Sequence, residues 1–366
     1  MKVLWLANIP SPYRVKFFNE LGKYCELTVL FEKYTSSERD DSWKNFQAEY
    51  FTAVFLKGKS VGVAEAFCPS VVKYLTKRWD HIVVTNSADP TGILAITYMR
   101  AKRIPYEIEG DGAFPGNVSG IKATLKRFLF TGADCCFSTA RLHDEYYLQY
   151  GVSQSKIVRY PFSSVYEKDV LNSPPSQTEK MKIRRSMGIT DTHMVLAVGQ
   201  FIHRKGFDLL IQAAAQLDDD CGVYIVGGKP TEEYECMKEK LPHQNVHFIG
   251  FMQPEELGMY YQIADVFVHP TREDIWGLVI NEAMAKGLPV VTTNRCIAGL
   301  EMIQHNKNGI IVEVDNVEEI AKAIQKCISQ QEAMGTMACK VAMNYTIEQM
   351  AKHHLDNWKV HGRKDK

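Results

Sequence analysis

The sequence predicts an α/β protein made of two doubly wound domains. Short apolar segments alternate with segments of helical periodicity along the whole chain, as expected where parallel strands are joined by helices. The 366 residues exceed what one ordinary hydrophobic core organises. A Ser-Pro-Pro-Ser segment near the middle resembles a linker. We therefore expect an N-terminal domain over 1–171, a linker region over 172–188, a C-terminal domain over 189–345 and a final helix over 346–366.

Composition and charge argue against several classes of function. Lys+Arg and Asp+Glu are equal at 43 each, so no overall basic field favours a nucleic-acid partner. No apolar run approaches the roughly 20 residues of a membrane span, and no secretory signal is visible at the start of the chain. The nine cysteines are scattered without a C-x-x-C pair. These features indicate a reduced, cytoplasmic protein without a disulfide framework or a metal site.

The first half begins with a strand, a loop, a helix and a second strand. The loop, Ile9-Pro-Ser-Pro-Tyr-Arg14, contains no glycine, which argues against a dinucleotide site at this position. An unpatterned polar stretch over 35–50 predicts a loop, and 90–102 predicts a helix that begins with Pro-Thr-Gly. Further apolar runs predict strands over 2–8, 26–31, 81–85, 105–109, 135–138 and 156–161.

Polar residues follow two of these strands, where parallel sheets place their sites. Ser11, Tyr13 and Arg14 follow the first strand, and Glu109 and Asp111 lie among glycines after the strand over 105–109. A rigid proline connector explains the first group equally well, and a turn-capping role explains Asp111 equally well.

The segment 119–130 predicts an amphipathic basic helix. Ile121, Leu125, Phe128 and Leu129 share one face, and Lys122, Lys126 and Arg127 lie off it. Such a helix could rest on an anionic membrane surface at the inner face of the membrane. Packing of this apolar face against the protein's own sheet is the alternative.

The second half repeats the strand–loop–helix pattern, with strands predicted over 194–199, 222–228, 246–249, 266–268, 289–293 and 309–314. Its most informative stretch is 269–293. A polar loop there carries Asp274 and leads into a helix from Gly277, which ends at Gly287. The amides of Gly277, Leu278 and Val279 would open this helix and suit a phosphate.

A second loop supplies positive charge. Arg204 and Lys205 follow the strand that ends at Gly199 and precede a helix, so they could clamp a pyrophosphate leaving group. Gly227 ends the next strand and could line a nucleotide, although a tight turn explains it nearly as well.

The stretch Asp274-Ile-Trp-Gly-Leu-Val-Ile-Asn-Glu282 resembles the E-x7-E signature of the retaining GT-B glycosyltransferases, most closely glycosyltransferase family 4 (group 1). The first position departs from the pattern, because Asp274 replaces the usual Glu. The resemblance implies two Rossmann-like domains that face a central cleft. It also implies that Arg204 and Lys205 neutralise the diphosphate, that Glu282 holds the nucleotide ribose, and that Asp274 holds a hydroxyl of the transferred sugar.

From this resemblance we expect a retaining enzyme that moves a sugar from a UDP- or GDP-linked donor to a glycan or lipid-linked glycan. The residues that follow the first-half strands, Ser11, Tyr13, Arg14, Glu109 and Asp111, would then lie on the acceptor side. Because cations and amides neutralise the phosphates, no metal ion and no permanent cofactor is expected. A nucleotide-sugar epimerase of GT-B fold and a non-catalytic nucleotide-sugar-binding protein are the alternatives.

Overall fold

The computed structural model describes residues 1–34 and 46–361, and the chain forms two compact units. Unit 1 consists of the described parts of Met1–Ser164 and Thr346–Lys366, and unit 2 consists of Val165–Tyr345. Most of the polar loop predicted over 35–50 lies outside the described residues, as does the end of the segment 346–366.

The strands and helices alternate along the described chain. The strands are β1 (Lys2–Ala7), β2 (Glu26–Phe31), β3 (Thr52–Phe55), β4 (Lys59–Ser60), β5 (Ala66–Phe67), β6 (His81–Val84), β7 (Glu107–Glu109), β8 (Cys135–Ser138), β9 (Ile157–Arg159), β10 (His193–Val198), β11 (Cys221–Val226), β12 (Val246–Ile249), β13 (Val266–His269), β14 (Val290–Thr293) and β15 (Gly309–Val312). The α-helices are α1 (Pro12–Gly22), α2 (Pro90–Lys102), α3 (Gly120–Thr131), α4 (Arg141–Gln149), α5 (Gln177–Ser186), α6 (Phe207–Ala214), α7 (Glu232–Glu239), α8 (Pro254–Ile263), α9 (Leu278–Ala285), α10 (Ile297–Met302), α11 (Val317–Ser329), α12 (Gln331–Ala342) and α13 (Ile347–His361).

Unit 1 is built on a seven-stranded parallel sheet with the strand order β3-β2-β1-β6-β7-β8-β9. The inner strand β1 is buried on both faces: Leu4 and Leu6 join one hydrophobic cluster, and Trp5 contacts Phe17 of α1 on the other face. Burial on both faces explains why β1 reads as a continuous apolar run. A short antiparallel hairpin, β4–β5, lies outside this sheet.

Helix α13 completes the second face of the sheet of unit 1. Its His354 ring packs against Trp5 and Phe17, with ring centroids 5.6 and 5.2 Å apart. The indole Nε1 of Trp358 donates a 2.7 Å hydrogen bond to Glu107 Oε2 at the start of β7. The apolar positions of this C-terminal helix therefore belong to the core of unit 1.

Unit 2 contains a six-stranded parallel sheet with the order β12-β11-β10-β13-β14-β15. Its hydrophobic core combines β-branched residues of the strands with the apolar face of α6 and α11. Both sheets are doubly wound, so the predicted α/β class with two Rossmann-like halves is confirmed.

The segment 172–188, predicted as a linker region, contains helix α5, which is anchored to unit 2 by buried charges. Arg184 Nη2 lies 2.7 Å from Asp265 Oδ2, and Lys180 Nζ lies 3.3 Å from Asp265 Oδ1. The amide of Met194 donates a third hydrogen bond to Asp265. The side chains of Asp265 and Arg184 are fully buried. These contacts place α5 within unit 2, whose first residue is Val165.

Only part of the apolar face predicted for α3 packs against the core of unit 1. Ile121, Leu125 and Phe128 are 89, 36 and 40% exposed, whereas Leu129 is buried together with Ala123 and Phe130. The packed face is therefore rotated away from the apolar stripe, because small Ala123 and the end of the helix make the close contacts. Within residues 1–34 and 46–361, no helix combines the length and the apolar character needed to span a bilayer.

We expect Asp265→Ala to lower the free energy of unfolding by about 3–5 kcal/mol, because two buried cations lose their carboxylate. Although burial opposes ionisation, the His193 ring 3.7 Å away and the charges of Lys180 and Arg184 lower the pKa of Asp265 to about 2. A depressed carboxyl pKa stabilises the fold above about pH 4, and this contribution disappears as the pH falls towards 2.

Urea unfolding at pH 7 measures this change. Asp219→Ala is the control, since the Asp219 side chain is 77% exposed, and we expect a change within about 0.5 kcal/mol. An equally small change in Asp265→Ala would contradict the anchoring role of the buried ion pairs.

Candidate active site

The carboxyl edge of the sheet of unit 2 has a topological switch point between β10 and β13. These two strands are neighbours, but the chain leaves β10 through α6 towards β11 and leaves β13 through α9 towards β14, in the opposite direction. In open α/β sheets the crevice at such a point is where ligands bind. Gly199 and Lys205 follow β10, and Asp274 follows β13. The residues singled out from the sequence thus meet at the switch point.

Glycines shape the loop after β10. A Cβ at Gly227 would collide with the carbonyl of Gly199, so these two positions lie back to back at the ends of β11 and β10. A single turn of 3₁₀-helix, His203–Lys205, then ends at Gly206 with φ of 71°. A Cβ at Gly206 would collide with the carbonyl oxygen of Pro270. Close packing and a left-handed backbone together require glycine at position 206.

The carboxylate of Asp274 holds the two loops together. Its Oδ2 accepts a 2.7 Å hydrogen bond from Lys205 Nζ and lies 3.0 Å from His269 Nε2. Arg204 Nη1 is 4.0 Å away. Burial opposes ionisation, but the hydrogen bond from His269 and the charge of Lys205 hold the pKa of Asp274 well below its usual range. Asp274 is therefore an ionised hydrogen-bond acceptor at neutral pH.

The second carboxylate oxygen of Asp274, Oδ1, can accept a further hydrogen bond. Among the described residues, its Oδ1 contacts only the amide of Trp276, at 3.5 Å, which is longer than an ordinary hydrogen bond. Burial lowers the pKa of His269, which indicates a neutral ring that donates from Nε2. The site thus presents one carboxylate oxygen, Oδ1, to a further donor.

Backbone contacts join the loop after β13 to the loop after β10. The hydroxyl of Thr271 and the amide of Arg272 both donate to the carbonyl of Arg204, at 2.9 and 2.8 Å. Arg204 Nη1 donates in return to the carbonyl of Glu273 at 2.7 Å. Arg272 also forms a bidentate pair with Asp208 of α6, at 2.8 and 2.6 Å. These contacts therefore fix the position of the two loops relative to each other.

Helix α9 begins at the same edge. Gly277 is its N-terminal cap residue with φ of 100°, and no side chain caps the helix. A Cβ at Gly277 would lie 2.9 Å from Cys296 Sγ, so close packing as well as conformation favours glycine. The first amides of a helix have no acceptor within it, and those of Leu278 and Val279 are available to an anion.

Glu282 lies one turn further along α9. It is partly exposed, and its Oε2 accepts a 3.1 Å hydrogen bond from Tyr261 of α8. The described contacts do not join Glu282 to Asp274, so the two carboxylates of the Asp274-x7-Glu282 stretch have separate partners. Tyr261 positions one of them, and Lys205 with His269 positions the other.

Several residues that shape this site were not predicted from the sequence. His269, Thr271 and Arg272 lie in the same loop as Asp274, and Arg295 pairs with Glu273 at 2.8 Å. A histidine followed by proline, His269-Pro270, ends the apolar run of β13, but the partner of His269 depends on how the chain folds back. Within the described residues, no group of three or more His, Cys, Asp or Glu residues has the arrangement of a metal site.

The polar residues after the strands of unit 1 also come together. Arg14 Nη1 lies 2.7–2.9 Å from the Glu109 carboxylate, Arg14 Nη2 pairs with Asp111, and Tyr13 donates to Asp111 at 2.8 Å. Glu109 and Arg14 are buried, whereas the side chain of Asp111 is 29% exposed. Ser11 is buried and makes no side-chain cap for α1. Of these five residues, Asp111 presents the most accessible charge.

Residues 179–340 match the family described as Glycosyl transferases group 1. The matched segment covers most of unit 2. An uncharacterized glycosyltransferase of Methanocaldococcus jannaschii is 33% identical over 196 residues, which cover 50% of this chain and 50% of that protein. The lipopolysaccharide glucosyltransferase WaaG of Escherichia coli is 28% identical over 170 residues, which cover 45% of this chain and 44% of WaaG. The chain spans about half the length of the relatives that it matches in sequence.

A likeness in fold to a solved structure extends through both units. The crystal structure of HepE of Anabaena in complex with UDP has a TM-score of 0.79 and 17% identity, covering 98% of this chain and 100% of HepE. This likeness confirms the predicted GT-B class of two Rossmann-like halves.

We expect Gly206→Ala to lower the free energy of unfolding of unit 2 by about 1–3 kcal/mol. The positive φ of Gly206 is strained for any side chain, and a methyl group would displace the Pro270 carbonyl. Urea unfolding measures the change.

Gly228→Ala provides the matched control, because a Cβ at Gly228 meets no atom within 4 Å and the backbone is not left-handed. Equal unfolding midpoints for the two variants would show that the loop after β10 relaxes at no cost.

Proposed function

We propose that the protein is a retaining glycosyltransferase that moves a sugar from a nucleotide-diphosphate sugar to a glycan or lipid-linked glycan without a metal ion. The observation that carries this proposal is the placement of Arg204 and Lys205 beside the ionised Asp274, at the switch point of a group 1 unit. The match of HepE, which was solved in complex with UDP, supports a nucleotide-linked donor.

The positive groups of this site suit a diphosphate leaving group. The Arg204 side chain is 49% exposed, and only its Nη1 contacts other described residues. Its Nε and Nη2 remain to bind a phosphate in the bidentate manner that guanidinium favours. Lys205 and the amides of Gly277, Leu278 and Val279 supply further donors. This set of donors would offset the phosphate charge in the role that a metal ion has in other transferases.

The carboxylates suit the sugar portions of the donor. Oδ1 of Asp274 can accept from a hydroxyl of the transferred sugar, and Glu282 can accept from the ribose hydroxyls. Gly199 and Gly227 have no side chain between the strand ends and the nucleotide. Asp274 therefore orients the sugar while Lys205, bonded to its other oxygen, binds the adjoining phosphate.

We expect reaction on one face of the sugar. The bond between the anomeric carbon and the phosphate oxygen breaks, and the acceptor oxygen bonds to the same face, while the acceptor proton passes to the departing phosphate oxygen. Lys205 and Arg204 would lower the barrier by stabilising the charge that grows on that phosphate. The pKa of Asp274 is held well below its usual range, which makes it a weak nucleophile and favours an orienting role.

The acceptor side is assigned to unit 1, with Ser11, Tyr13, Arg14, Glu109 and Asp111 at its carboxyl edge. The name of WaaG identifies lipopolysaccharide as the substrate of that relative. We extend this to a glycan or lipid-linked glycan acceptor for the present chain.

Lys205→Ala should reduce turnover about 10²–10³-fold, the usual cost of removing one preorganised donor to a leaving group. The assay is release of nucleoside diphosphate from UDP-, GDP- and ADP-sugars in the presence of EDTA. UDP or GDP should raise the melting temperature of the wild type, and Glu282→Ala should lose this shift. Lys307→Ala, an exposed position of unit 2, is the control.

Three outcomes separate the alternatives. A sugar isomer formed from the donor without any acceptor would indicate an epimerase. A thermal shift without turnover under any condition would indicate a binding protein. Wild-type turnover in Lys205→Ala would mean that the site is assigned to the wrong residues.

We further propose that α3 contacts an anionic membrane surface. Its exposed stripe of Ile121, Leu125 and Phe128 lies beside the exposed cations Lys122 and Arg127, and the helix contains no acidic residue. Apolar burial and attraction to anionic lipid act together in such a helix. A lipid-linked acceptor would make this contact useful, since it would bring unit 1 to the surface that carries the substrate.

The protein should float with vesicles of phosphatidylcholine and phosphatidylglycerol but less with phosphatidylcholine alone, and salt should weaken the binding. Ile121→Glu and Phe128→Glu should each reduce the bound fraction. Tyr24→Glu is the control, since Tyr24 is 62% exposed elsewhere in unit 1. Equal flotation of all three variants, or none by the wild type, would rule out α3 as the contact.

A further inference from the structure

The sheet of unit 1 also has a topological switch point, between β1 and β6. The chain leaves β1 through α1 towards β2 and leaves β6 through α2 towards β7 on the other side. At the carboxyl edge around this point, Glu32 follows β2, and Asn86 and Asp89 lie between β6 and α2. The physics that places a ligand in the crevice of unit 2 applies equally here.

Glu32 is a buried carboxylate with one oxygen unsatisfied. The residue is 3% exposed, and its Oε2 accepts a 3.0 Å hydrogen bond from the amide of Ala66. Its Oε1 has no hydrogen-bond partner among the described residues. Thr91 of α2 donates to the carbonyl of Ala66 at 2.6 Å, so the β4–β5 hairpin, Glu32 and the start of α2 form one connected group. An unsatisfied buried carboxylate is costly, so its retention needs a reason.

The groups around Glu32 do not neutralise it. Asp89 and Glu65 both interact with it electrostatically, and burial followed by these charges raises the pKa of Glu32 to about 7. Burial and Glu65 likewise raise the pKa of Asp89 to about 6. The nearby Lys33 ammonium donates to the Ser60 hydroxyl and to two backbone carbonyls of the hairpin instead. Among the described residues, none of the three acids has an ion-pair partner.

Two further polar side chains at this edge, Asp89 and Asn86, do not make the hydrogen bonds expected of them. Asp89 occupies the N-terminal cap position of α2, but its side chain does not cap the helix. The Nδ2 of Asn86 is buried and has no hydrogen-bond partner among the described residues. The edge therefore offers carboxylate acceptors and an amide donor together. A cation would satisfy the acids but leave the Asn86 donor unpaired, and an anion would be repelled by three carboxylates.

A sugar hydroxyl satisfies both requirements, since it donates to a carboxylate and accepts from an amide. β2 and β6 flank β1, so their ends are separated by roughly 10 Å, and neighbouring hydroxyls on one ring can bridge such a pair of groups. We propose that Glu32, Asn86 and Asp89 form a subsite of unit 1 that binds hydroxyl groups of a neutral sugar of the acceptor. This inference rests on the proposed function and adds the chemical class of the acceptor, while the donor residues lie in unit 2.

Binding of methyl glycosides in the presence of UDP tests the subsite, measured by saturation-transfer NMR titration. Methyl glycosides of neutral hexoses should bind, and the methyl glycoside of glucuronic acid should bind at least tenfold more weakly. Glu32→Gln and Asp89→Ala should each weaken the neutral glycosides about tenfold, because a charge-assisted hydrogen bond is lost. Glu26→Gln, at the start of β2 with a 66% exposed side chain, should bind as the wild type does.

A second readout separates a binding role from a structural one. Because folding raises the pKa of Glu32 from 4.5 to about 7, its ionisation lowers the stability of the fold as the pH rises between these values, and the full cost is present above about pH 7. Glu32→Gln should therefore raise the melting temperature at pH 8 while weakening glycoside binding, a combination that a purely structural residue would not show. If Glu32→Gln fails to fold, Asp89→Ala, at a partly exposed position, carries the test alone.

Several results would overturn the subsite. These are wild-type affinity in both variants, preference for the glucuronide, no binding of any neutral glycoside, or calcium binding that requires Glu32. The UDP-induced thermal shift is recorded on the same samples. Loss of that shift in the wild type would refute the donor site of the proposed function, whereas an intact shift with unaltered glycoside binding in both variants would refute this inference alone.

Discussion

The contact between the Asp274 carboxylate and Lys205 is the interaction on which the rest of the site depends. These residues follow two different strands, β13 and β10, so their 2.7 Å contact fixes the separation of two loops that the sheet alone would leave independent. His269 shares the same carboxylate oxygen and leaves Oδ1 for another donor. The buried carboxylate of Asp274 therefore positions Lys205 and remains ionised. Its Oδ1 stays available to accept a hydrogen bond. Replacement of the usual Glu by Asp is compatible with this arrangement, because His269 and Lys205 approach a short side chain.

The strand β13 shows how the same residue type can stabilise a fold at one end and form a site at the other. Asp265, just before β13, is fully buried, and its oxygens accept from Arg184, Lys180 and the amide of Met194. Asp274, after the carboxyl end, retains one oxygen with only a 3.5 Å contact. Because a saturated carboxylate has no capacity for a ligand, we regard the first as an anchor for α5. Asp274 has an oxygen that can still accept a hydrogen bond, which a binding role requires.

The two sheets share a doubly wound topology but carry opposite electrostatics at their switch points. In unit 2, Arg204, Lys205 and helix amides gather positive potential, which suits phosphate. In unit 1, Glu32, Glu65 and Asp89 gather negative charge that no ion pair within residues 1–34 and 46–361 offsets, which suits hydroxyl groups. Since the fold provides the crevice in both cases, the difference in chemistry comes entirely from the side chains placed at the strand ends. This division agrees with a donor unit and an acceptor unit.

The roles suggested for Arg204, Lys205, Asp274 and Glu282 came from the resemblance to a family and stay predictions. Local pattern in the sequence was enough to predict both parallel sheets and the loop–helix at 277. Those features depend on periodicity, glycine positions and residue spacing, which are local properties of the chain. Residues such as His269, Arg272 and Tyr261 gained meaning only from the tertiary structure, because their partners lie on other elements. The same is true of the exposed stripe on α3 and of the unsatisfied oxygen of Glu32, since burial depends on which face packs. The sequence by itself thus determined the elements and the likeness to a family, whereas only the tertiary structure decided which charges are paired, since pairing is set by distances between distant parts of the chain.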